Sequence, residues 1–401
     1  MTDQSGATDG GGLLDLVIVG GTVIDPGSRL FDRLDVAIAG GRIVAVESDL
    51  GSVAARQVVD ATGQLVVPGL VDLHVHVYWG VADLSIEADP TCLGRGVTTV
   101  ADAGSAGANT FPGFRRSVVE ASRGRILAYL NISAMGQIDP FLGELHDLRF
   151  ADPERAAAVA RANPDLIVGF KVRVSEMLAG PNGLAGLDLA LVAGRATSLP
   201  VMVHIGGTPF DIEEVLVRLR PGDVVTHAYT GWRPGGIVTD GGRVVAAATE
   251  ARARGVLFDV GHGAGSFTWP IAEAAITDGF LPDTISSDLH RFNVAGPVRD
   301  LATTLSKFLL LGLSVEDVVA MATTAPSAAL GRTGTLGSLA VGAEADVTIL
   351  ALEEGRFALT DSAGATREAR QRLVPVGVIR AGQPLPIAPA VTEPPAGISP
   401  G

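Results

Sequence analysis

The two ends of the chain share one pattern of apolar and polar positions. Short β-branched runs such as "LVIVG" and "VAIAGG" are separated by Gly-Gly and Asp-Pro-Gly near the start, and "ADVTILALEEGRFALT" and "RLVPVGVIRAG" resemble them near the finish. Such runs, broken by turn residues, are typical of antiparallel strands joined by tight turns. We therefore predict that residues 13–67 and 332–388 form one small composite β-sandwich, with residues 1–12 as a flexible tail and residues 389–401 as a disordered one.

Residues 68–331 have a different rhythm, in which short apolar strands alternate with helical stretches. The eight candidate strands are "LVDLHVH", "VTTVADAG", "RILAYLNIS", "LIVGFKVRVS", "PVMVHIG", "DVVTHAY", "GVLFDVGHG" and "TISSDLH". Eight strand–helix repeats over roughly 260 residues match the size of a (β/α)8 TIM barrel, an α/β fold. An open doubly wound sheet has a similar rhythm, but the Gly-rich dinucleotide fingerprint is missing after the first strand.

Polar side chains collect at the carboxyl ends of these strands. Because strand side chains alternate between two faces, His74 and His76 share one face of the first strand and the intervening apolar residues take the other. The same test brings further polar residues to the same mouth of the barrel: Lys171, Arg173, His204, His227 and Asp288. Active sites of TIM barrels are built at this end.

Four imidazoles and a carboxylate at one mouth suit a divalent ion such as zinc. Taken singly, each residue has a structural alternative: a satisfied core pair for His74 and His76, an ion pair for Lys171, and a packed strand end for a lone histidine. An ammonium at Lys171 would repel a metal, whereas a carbamate formed there with carbon dioxide would carry two anionic oxygens and could bridge two ions. The combination favours a binuclear metal site.

Composition limits the partners. The chain of 401 residues is 47% hydrophobic and 18% charged, with a formal net charge of -14, so nucleic acid and anionic lipid surfaces are poor partners. Its one cysteine, Cys92, cannot form a disulfide within the chain, which fits a reducing compartment. Apolar segments are broken before about 18 residues and the start carries no secretory signal, so we expect a cytoplasmic protein acting on a small molecule. Most soluble oligomers are symmetric homo-oligomers, and we expect one here.

The motifs "VVPGLVDLHVH", "GFKVR", "VMVHIG", "VVTHAY" and "ISSDLH" strongly resemble strand-end motifs of the amidohydrolase superfamily. The resemblance covers nearly the whole chain. It implies that His74, His76 and Asp288 hold the more buried of two divalent ions, with zinc as the expected metal, and that His204 and His227 hold the second. It also implies that carboxylated Lys171 and a hydroxide bridge the ions. Asp288 would then move a proton from that hydroxide to the leaving group.

A finer resemblance points to one branch. "DLHVHVYWG", "GFKVRVSE", "VHIGGTP", "DVGHGAGSF" and "SSDLH" resemble the deacetylase-like, dihydroorotase-like amidohydrolases, some of which cleave acetyl esters such as acetyl-mandelate. This implies deacylation of a small carboxylate-bearing compound, such as an N-acyl amino acid or O-acetyl hydroxy acid. A cyclic amidase of the hydantoinase or dihydroorotase type is the alternative, although dihydroorotases carry Arg where this chain has Tyr78. A non-catalytic scaffold is the alternative from another class, but every ligand position is filled here.

Four residues are candidates for substrate binding. Arg173 could hold a substrate carboxylate in a bidentate fork or form an internal ion pair. Tyr78 could donate to the acyl oxygen or pack as an aromatic at the barrel rim. His262 lies among glycines that let the backbone approach a ligand, and we predict a substrate contact there. Arg291 could line the pocket or orient Asp288.

Overall fold

A computed structural model describes residues 13–393. The predicted tail 1–12 and the last eight residues of the predicted tail 389–401 lie outside the described residues, and residues 389–393 form no regular element. The strands are β1 (Leu14–Val19), β2 (Thr22–Asp25), β3 (Leu30–Arg33), β4 (Asp35–Ala39), β5 (Arg42–Glu47), β6 (Ala55–Asp60), β7 (Leu65–Pro68), β8 (Leu70–Val75), β9 (Val97–Gly107), β10 (Arg125–Asn131), β11 (Ile167–Arg173), β12 (Val201–His204), β13 (Val224–Thr226), β14 (Leu257–Asp259), β15 (Val347–Thr360), β16 (Thr366–Arg380) and β17 (Gln383–Leu385).

The α-helices lie mainly between the barrel strands and after them. They are α1 (Ala88–Thr91), α2 (Phe111–Phe114), α3 (Pro153–Ala162), α4 (Glu176–Ala179), α5 (Gly183–Thr197), α6 (Ile212–Leu216), α7 (Ala246–Ala253), α8 (Trp269–Thr277), α9 (Leu301–Leu310), α10 (Val315–Ala320) and α11 (Thr324–Ala329). The Ala-rich stretches "PERAAAVARAN" and "GGRVVAAATEARARG" contain α3 and α7. Alanine has the highest helix propensity, which explains why these stretches are helical.

The predicted TIM barrel is confirmed. Strands β8 to β14 form one parallel sheet in sequence order, and the segment from Thr284 to Leu289 closes it through parallel bridges to Asp259 and Val75. This closing segment was predicted as a regular strand, "TISSDLH", and that detail is wrong. Its backbone turns at Asp288, where φ is +48°, so regular pairing is not maintained along its length.

Helix α5 packs against barrel strand β11, where Leu187 and Phe170 are both fully buried. Within residues 13–393, one helical run, 176–197, is long and apolar enough to cross a membrane by length and composition. The sequence had led us to expect no such run. It is interrupted by a short turn at Gly180–Asn182, and 56% of its apolar window is buried inside the fold. An apolar sequence with partial burial is expected for a helix that packs against barrel strands.

Two further sheets lie beside the barrel. One has the order β5-β4-β1-β6, and the other has the order β17-β16-β15-β7-β2-β3 and draws strands from both ends of the chain. Leu16 and Ile38 from the first sheet share an apolar core with Val347 and Ile379 from the second. Packing of two sheets around one core is the arrangement of a β-sandwich.

The long hairpin of β15 and β16 extends from this sandwich onto the barrel. Its outer part packs on α9 and shares the barrel's apolar core. The turn between the two strands reaches the chain just after β14, where Ser362 accepts from the backbone N–H of Phe267 (3.2 Å) and Asp361 accepts from that of Trp269 (3.0 Å). The C-terminal hairpin therefore contacts a loop at the carboxyl ends of the barrel strands.

Candidate metal centre

The six predicted ligands lie together at the carboxyl ends of the barrel strands. Asp288 Oδ1 lies 3.3 Å from His74 Nε2 and 3.1 Å from His76 Nε2. Lys171 Nζ lies 3.3 Å from His74 Nε2. The His227 ring is centred 5.1 Å from that of His74 and 4.3 Å from that of His204. One donor atom each from His74, His227 and Asp288 fits within 4.8 Å of the others, which is close enough to share an ion.

Two of these residues have unusual backbones. His227 and Asp288 take positive φ values of +71° and +48°, a left-handed conformation that costs a non-glycine residue about 1–2 kcal/mol. Asp288 is held in it by its own N–H, which donates to the carbonyl of His74 (2.7 Å), and by Asn293, which donates to its carbonyl (2.7 Å). Strained backbone maintained by surrounding contacts is typical of functional sites.

Hydroxyl groups and buried carboxylates orient the first two histidines. The Thr226 hydroxyl donates its hydrogen to Asp259 (2.8 Å), and His74 Nδ1 lies 2.8 Å from Thr226 Oγ1. Because the hydroxyl hydrogen is already used, His74 Nδ1 must donate to Thr226 Oγ1. His74 Nε2 is therefore left with a lone pair directed at the centre. His76 Nδ1 similarly lies 3.0 Å from the hydroxyl of Ser105.

Backbone carbonyls orient the other two rings. His227 Nδ1 lies 2.7 Å from the carbonyl oxygen of Gly261, which can only accept, so its Nε2 keeps a free lone pair. His204 is the reverse case, because its Nε2 lies 3.2 Å from the carbonyl of Gly206 and its Nδ1 is the nitrogen left without a proton. Ligating histidines are commonly oriented in this way through their other ring nitrogen.

The donor set fits a cation. Burial lowers the pKa of His76 to about 3 and that of His227 to about 4, and it lowers the pKa of His74 and His204 well below the usual value, so all four rings are neutral at pH 7. Asp288 Oδ1 is buried, and among the described residues it accepts no hydrogen bond. Lone pairs that face one another without a proton repel, and a divalent ion removes that repulsion.

Lys171 is fully buried beside these rings. Desolvation lowers the pKa of its amine to about 7, although Asp288 and other carboxylates act in the opposite direction. Gly104 on β9 has a φ of +89°, and a Cβ there would lie 2.6 Å from Lys171 Cβ, so only glycine gives the lysine room. A neutral amine is the form that reacts with carbon dioxide, and the low pKa supplies it near neutral pH.

Arg173 and Tyr78, which we considered as substrate contacts, have protein partners. Arg173 donates through Nε to the buried Glu144, the internal ion pair that was its alternative, and Glu144 also accepts from Asn131 (2.8 Å). Tyr78 donates to the carbonyl of Thr110 (3.0 Å) and packs on Phe114, as expected for an aromatic at the rim. Their roles toward a substrate stay predictions.

His262 and Arg291 also contact neighbouring residues. His262 is fully buried; its Nδ1 lies 2.9 Å from the carbonyl of Gly263 and its Nε2 lies 2.6 Å from Lys307 Nζ. Arg291 pairs with Asp83 (2.6 Å) at the mouth of the barrel. A substrate contact for either side chain remains a prediction.

The groups that orient the candidate ligands were not predicted from the sequence. Asp259 collects hydroxyls from Thr226, Ser286 and Thr284, and Asp102 accepts the backbone N–H of Ser105 (2.7 Å). Asp259 ends β14 and Asp102 lies within β9, in "LFDVGHG" and "VADAG", so their position on barrel strands was a usable signal. Glu144 lies in a loop and gave no such signal.

Comparisons with known proteins identify a family and several relatives to which this chain is similar. A model of the amidohydrolase family matches residues 267–385. A protein named deacetylase from Agrobacterium fabrum is 40% identical over 332 residues, which cover 82% of this chain and 81% of that protein. Crystal structures of a dihydroorotase and an adenine deaminase each give a TM-score of 0.86, at 34% and 32% identity, over 93% of this chain and 99% and 100% of theirs. These relatives are named for different substrates, so similarity alone does not identify the substrate of this chain.

Proposed function

The chain belongs to the amidohydrolase family, and we propose that it uses two divalent ions, with zinc as the expected metal, to deacylate a small carboxylate-bearing amide or ester. Family membership makes it a metal-dependent hydrolase of amide or ester bonds. The proposal adds the number of ions, the bridging lysine and the class of substrate. The observation that carries it is the convergence of neutral histidine nitrogens on Asp288 Oδ1, which accepts no hydrogen bond from any residue of 13–393.

The residues divide the chemistry among them. His74, His76 and Asp288 would hold one ion, and His204 and His227 would hold the other. Carboxylated Lys171 would bridge the two through its two oxygens. Bound divalent ions would lower the pKa of water toward neutral and polarise an acyl carbonyl.

Asp288 is the proposed proton carrier. Its Oδ1 faces the centre, and a Cβ at Gly263 would lie 2.4 Å from its Oδ2, so the carboxylate is closely confined. Asp288 would take a proton from the attacking water and return it to the leaving amine or alcohol, acting first as a general base and then as a general acid.

The substrate class rests on a named relative and on Arg173. The Agrobacterium fabrum protein is named a deacetylase, which favours an acyl substrate. Arg173 would present its guanidinium to a substrate carboxylate while Glu144 fixes its orientation. Ring opening of a cyclic amide is the second candidate, favoured by the likeness to a dihydroorotase structure. Tyr78, whose hydroxyl is used by Thr110, offers no cation for the carboxylate of such a ring.

Metal content and a substrate screen test the proposal together. We expect about two ions per chain after purification without chelator, and turnover of N-acyl amino acids or O-acetyl hydroxy acids that is lost on chelation and restored by zinc. Hydrolysis confined to hydantoins or dihydropyrimidines would instead establish the second candidate. A chain that takes up no metal with bicarbonate present would overturn the proposal.

Two variants test the assigned residues. Asp288→Asn should bind substrate but lose turnover by at least 100-fold, because an amide cannot carry the proton. With 13C-labelled carbon dioxide, the wild type should show one carbamate carbon signal that Lys171→Ala lacks. Retention of two tightly bound ions and full activity by Lys171→Ala would contradict the bridging role.

A further inference from the structure

The chain uses lysine very sparingly. Of its 30 Lys and Arg residues only two are lysines, Lys171 and Lys307, and both are fully buried. Lys171 belongs to the metal centre, whereas Lys307 lies on α9, in the otherwise uncharged run "LATTLSKFLL". Arginine and lysine are not interchangeable where geometry matters, so a core lysine in an arginine-rich chain calls for a specific reason.

The reason is a set of three acceptors around one amine. Lys307 Nζ lies 2.6 Å from His262 Nε2, 2.7 Å from the carbonyl of Thr360 and 3.1 Å from the carbonyl of Pro297. An ammonium has three N–H donors, and each finds one acceptor here, which offsets part of the cost of burying the charge. The three acceptors belong to the loop after β14, the end of β15 and the chain before α9.

Lys307 and an aromatic neighbour together immobilise the His262 ring. The ring stacks on Phe267, with centroids 4.6 Å apart and planes inclined by 20°. Since Lys307 donates to Nε2, the proton of the neutral ring is on Nδ1, which donates to the carbonyl of Gly263 (2.9 Å). Both ring nitrogens are therefore engaged with the protein.

The short segment held in this way, residues 261–263, contacts two of the proposed metal ligands. The carbonyl of Gly261 accepts from His227 Nδ1 (2.7 Å), and the N–H of Gly263 donates to the carbonyl of Ser287 (3.0 Å). Gly263 also faces Asp288 Oδ2 so closely that a Cβ would lie 2.4 Å from it. A shift of this segment would change the orientation of His227 and the space available to Asp288.

We propose that Lys307 is a positioning residue for the metal centre. Through its contact with His262, Lys307 connects the C-terminal hairpin and α9 to residues 261–263. Residues 261–263 in turn fix the orientation of the His227 ring and limit the space around the Asp288 carboxylate. On this proposal His262 positions the segment and does not bind the substrate. The inference rests on the proposed function, because it concerns the same metal ligands.

The first test compares two variants on the same helix. Lys307→Met removes the three donors and keeps the length of the side chain. Ser306→Ala is the matched control, because Ser306 is equally buried and accepts from Leu373 of β16 (2.9 Å) without touching His262. Zinc affinity is measured on metal-free chains by competition with a chromophoric chelator, and kcat and KM are measured on the zinc-loaded enzymes.

We expect Lys307→Met to bind the more weakly held zinc ion about tenfold less tightly and to lose kcat with little change in KM, while Ser306→Ala keeps wild-type values. Equal effects of the two variants on zinc affinity would make Lys307 merely structural and overturn the inference. Because zinc binding needs no substrate, a wild type that binds two ions would separate this failure from failure of the proposed function.

A second measurement uses the folded wild type and does not depend on whether a variant folds. With 15N in lysine and histidine, the chain gives only two lysine side-chain signals. We expect a slowly exchanging Lys307 amine coupled through its hydrogen bond to His262 Nε2, with the His262 proton on Nδ1. A His262 ring protonated on Nε2, or a Lys307 amine that exchanges as fast as a solvated one, would overturn the proposed contact.

Discussion

Replacement of Thr226 by valine tests how the His74 ring is held toward the proposed metal ion. The change keeps the shape of the side chain and removes its hydroxyl. In the wild type this hydroxyl accepts from His74 Nδ1 and donates to Asp259, each at 2.8 Å. The valine leaves His74 with a buried donor that has no acceptor, and Asp259 retains Ser286 and Thr284 as partners.

The expected size of the effect follows from these contacts. Loss of a partner from a buried donor costs about 1–3 kcal/mol of folding free energy. Loss of the group that orients a ligating histidine costs 10- to 100-fold in metal affinity, which is about 1.4–2.7 kcal/mol of binding free energy. Thr226→Val should therefore unfold at a lower urea concentration. It should also bind the zinc ion proposed at His74 at least tenfold less tightly.

Thr284→Val is the matched control for this prediction. Thr284 donates to the other oxygen of Asp259 (2.7 Å), is equally buried and, within the described part of the chain, has no hydrogen bond with a histidine. Both variants should lose a similar amount of stability in urea unfolding, and only Thr226→Val should weaken zinc in the chelator competition. If zinc affinity falls equally in the two variants, or in neither, His74 is not positioned through Thr226.

Two further predictions concern glycine geometry and pH. Gly263→Ala would place a methyl group 2.4 Å from Asp288 Oδ2 and should lower kcat by about 100-fold, whereas Gly279→Ala, which has the same kind of backbone (φ +79°) but no atom within 4 Å, should lose only stability. Normal kcat in Gly263→Ala would show that the carboxylate is not confined. Burial lowers the pKa of Lys307 to about 7 against about 10.4 in the unfolded chain, so between these values the unfolded state binds more protons. The stability of the wild type relative to Lys307→Met should therefore rise with pH from 7 to 9, by on the order of 1 kcal/mol per unit in urea unfolding at matched metal content, and a flat or falling difference would refute the lowered pKa.

The barrel and its candidate ligands were accessible from sequence because both follow from strand geometry. Alternation with period two assigns His74 and His76 to one face, and parallel strands bring their carboxyl ends to one side. The segment around Asp288 was harder to predict. Its polar residues were recognised, but the left-handed turn that prevents a regular strand there depends on neighbouring contacts, such as Asn293 with the Asp288 carbonyl.

The partners of the ligands could not be read in the same way. Thr226 meets His74 because closure of the barrel brings β13 near β8, with β14 and the closing segment between them, a relation that no local pattern contains. Glu144 reaches Arg173 from a long loop after β10, and loop conformation is set by packing more than by periodicity. Lys307 did leave a signal, since a charged residue interrupts the apolar run of α9, but its partners come from three separate segments, two of them distant in sequence.

Three buried carboxylates lie around the histidines and affect which charge the centre favours. Asp72, Asp102 and Asp259 are all fully buried, and desolvation raises the pKa of each, that of Asp72 to about 7. They have no arginine or lysine ion partner among the described residues; serine and threonine hydroxyls or backbone N–H groups contact them instead. Buried anions without cations are costly, and neutral imidazoles cannot compensate them. Divalent ions at the adjacent histidines would supply the missing positive charge, so the carboxylates that orient the ligands also make the site more favourable for cations.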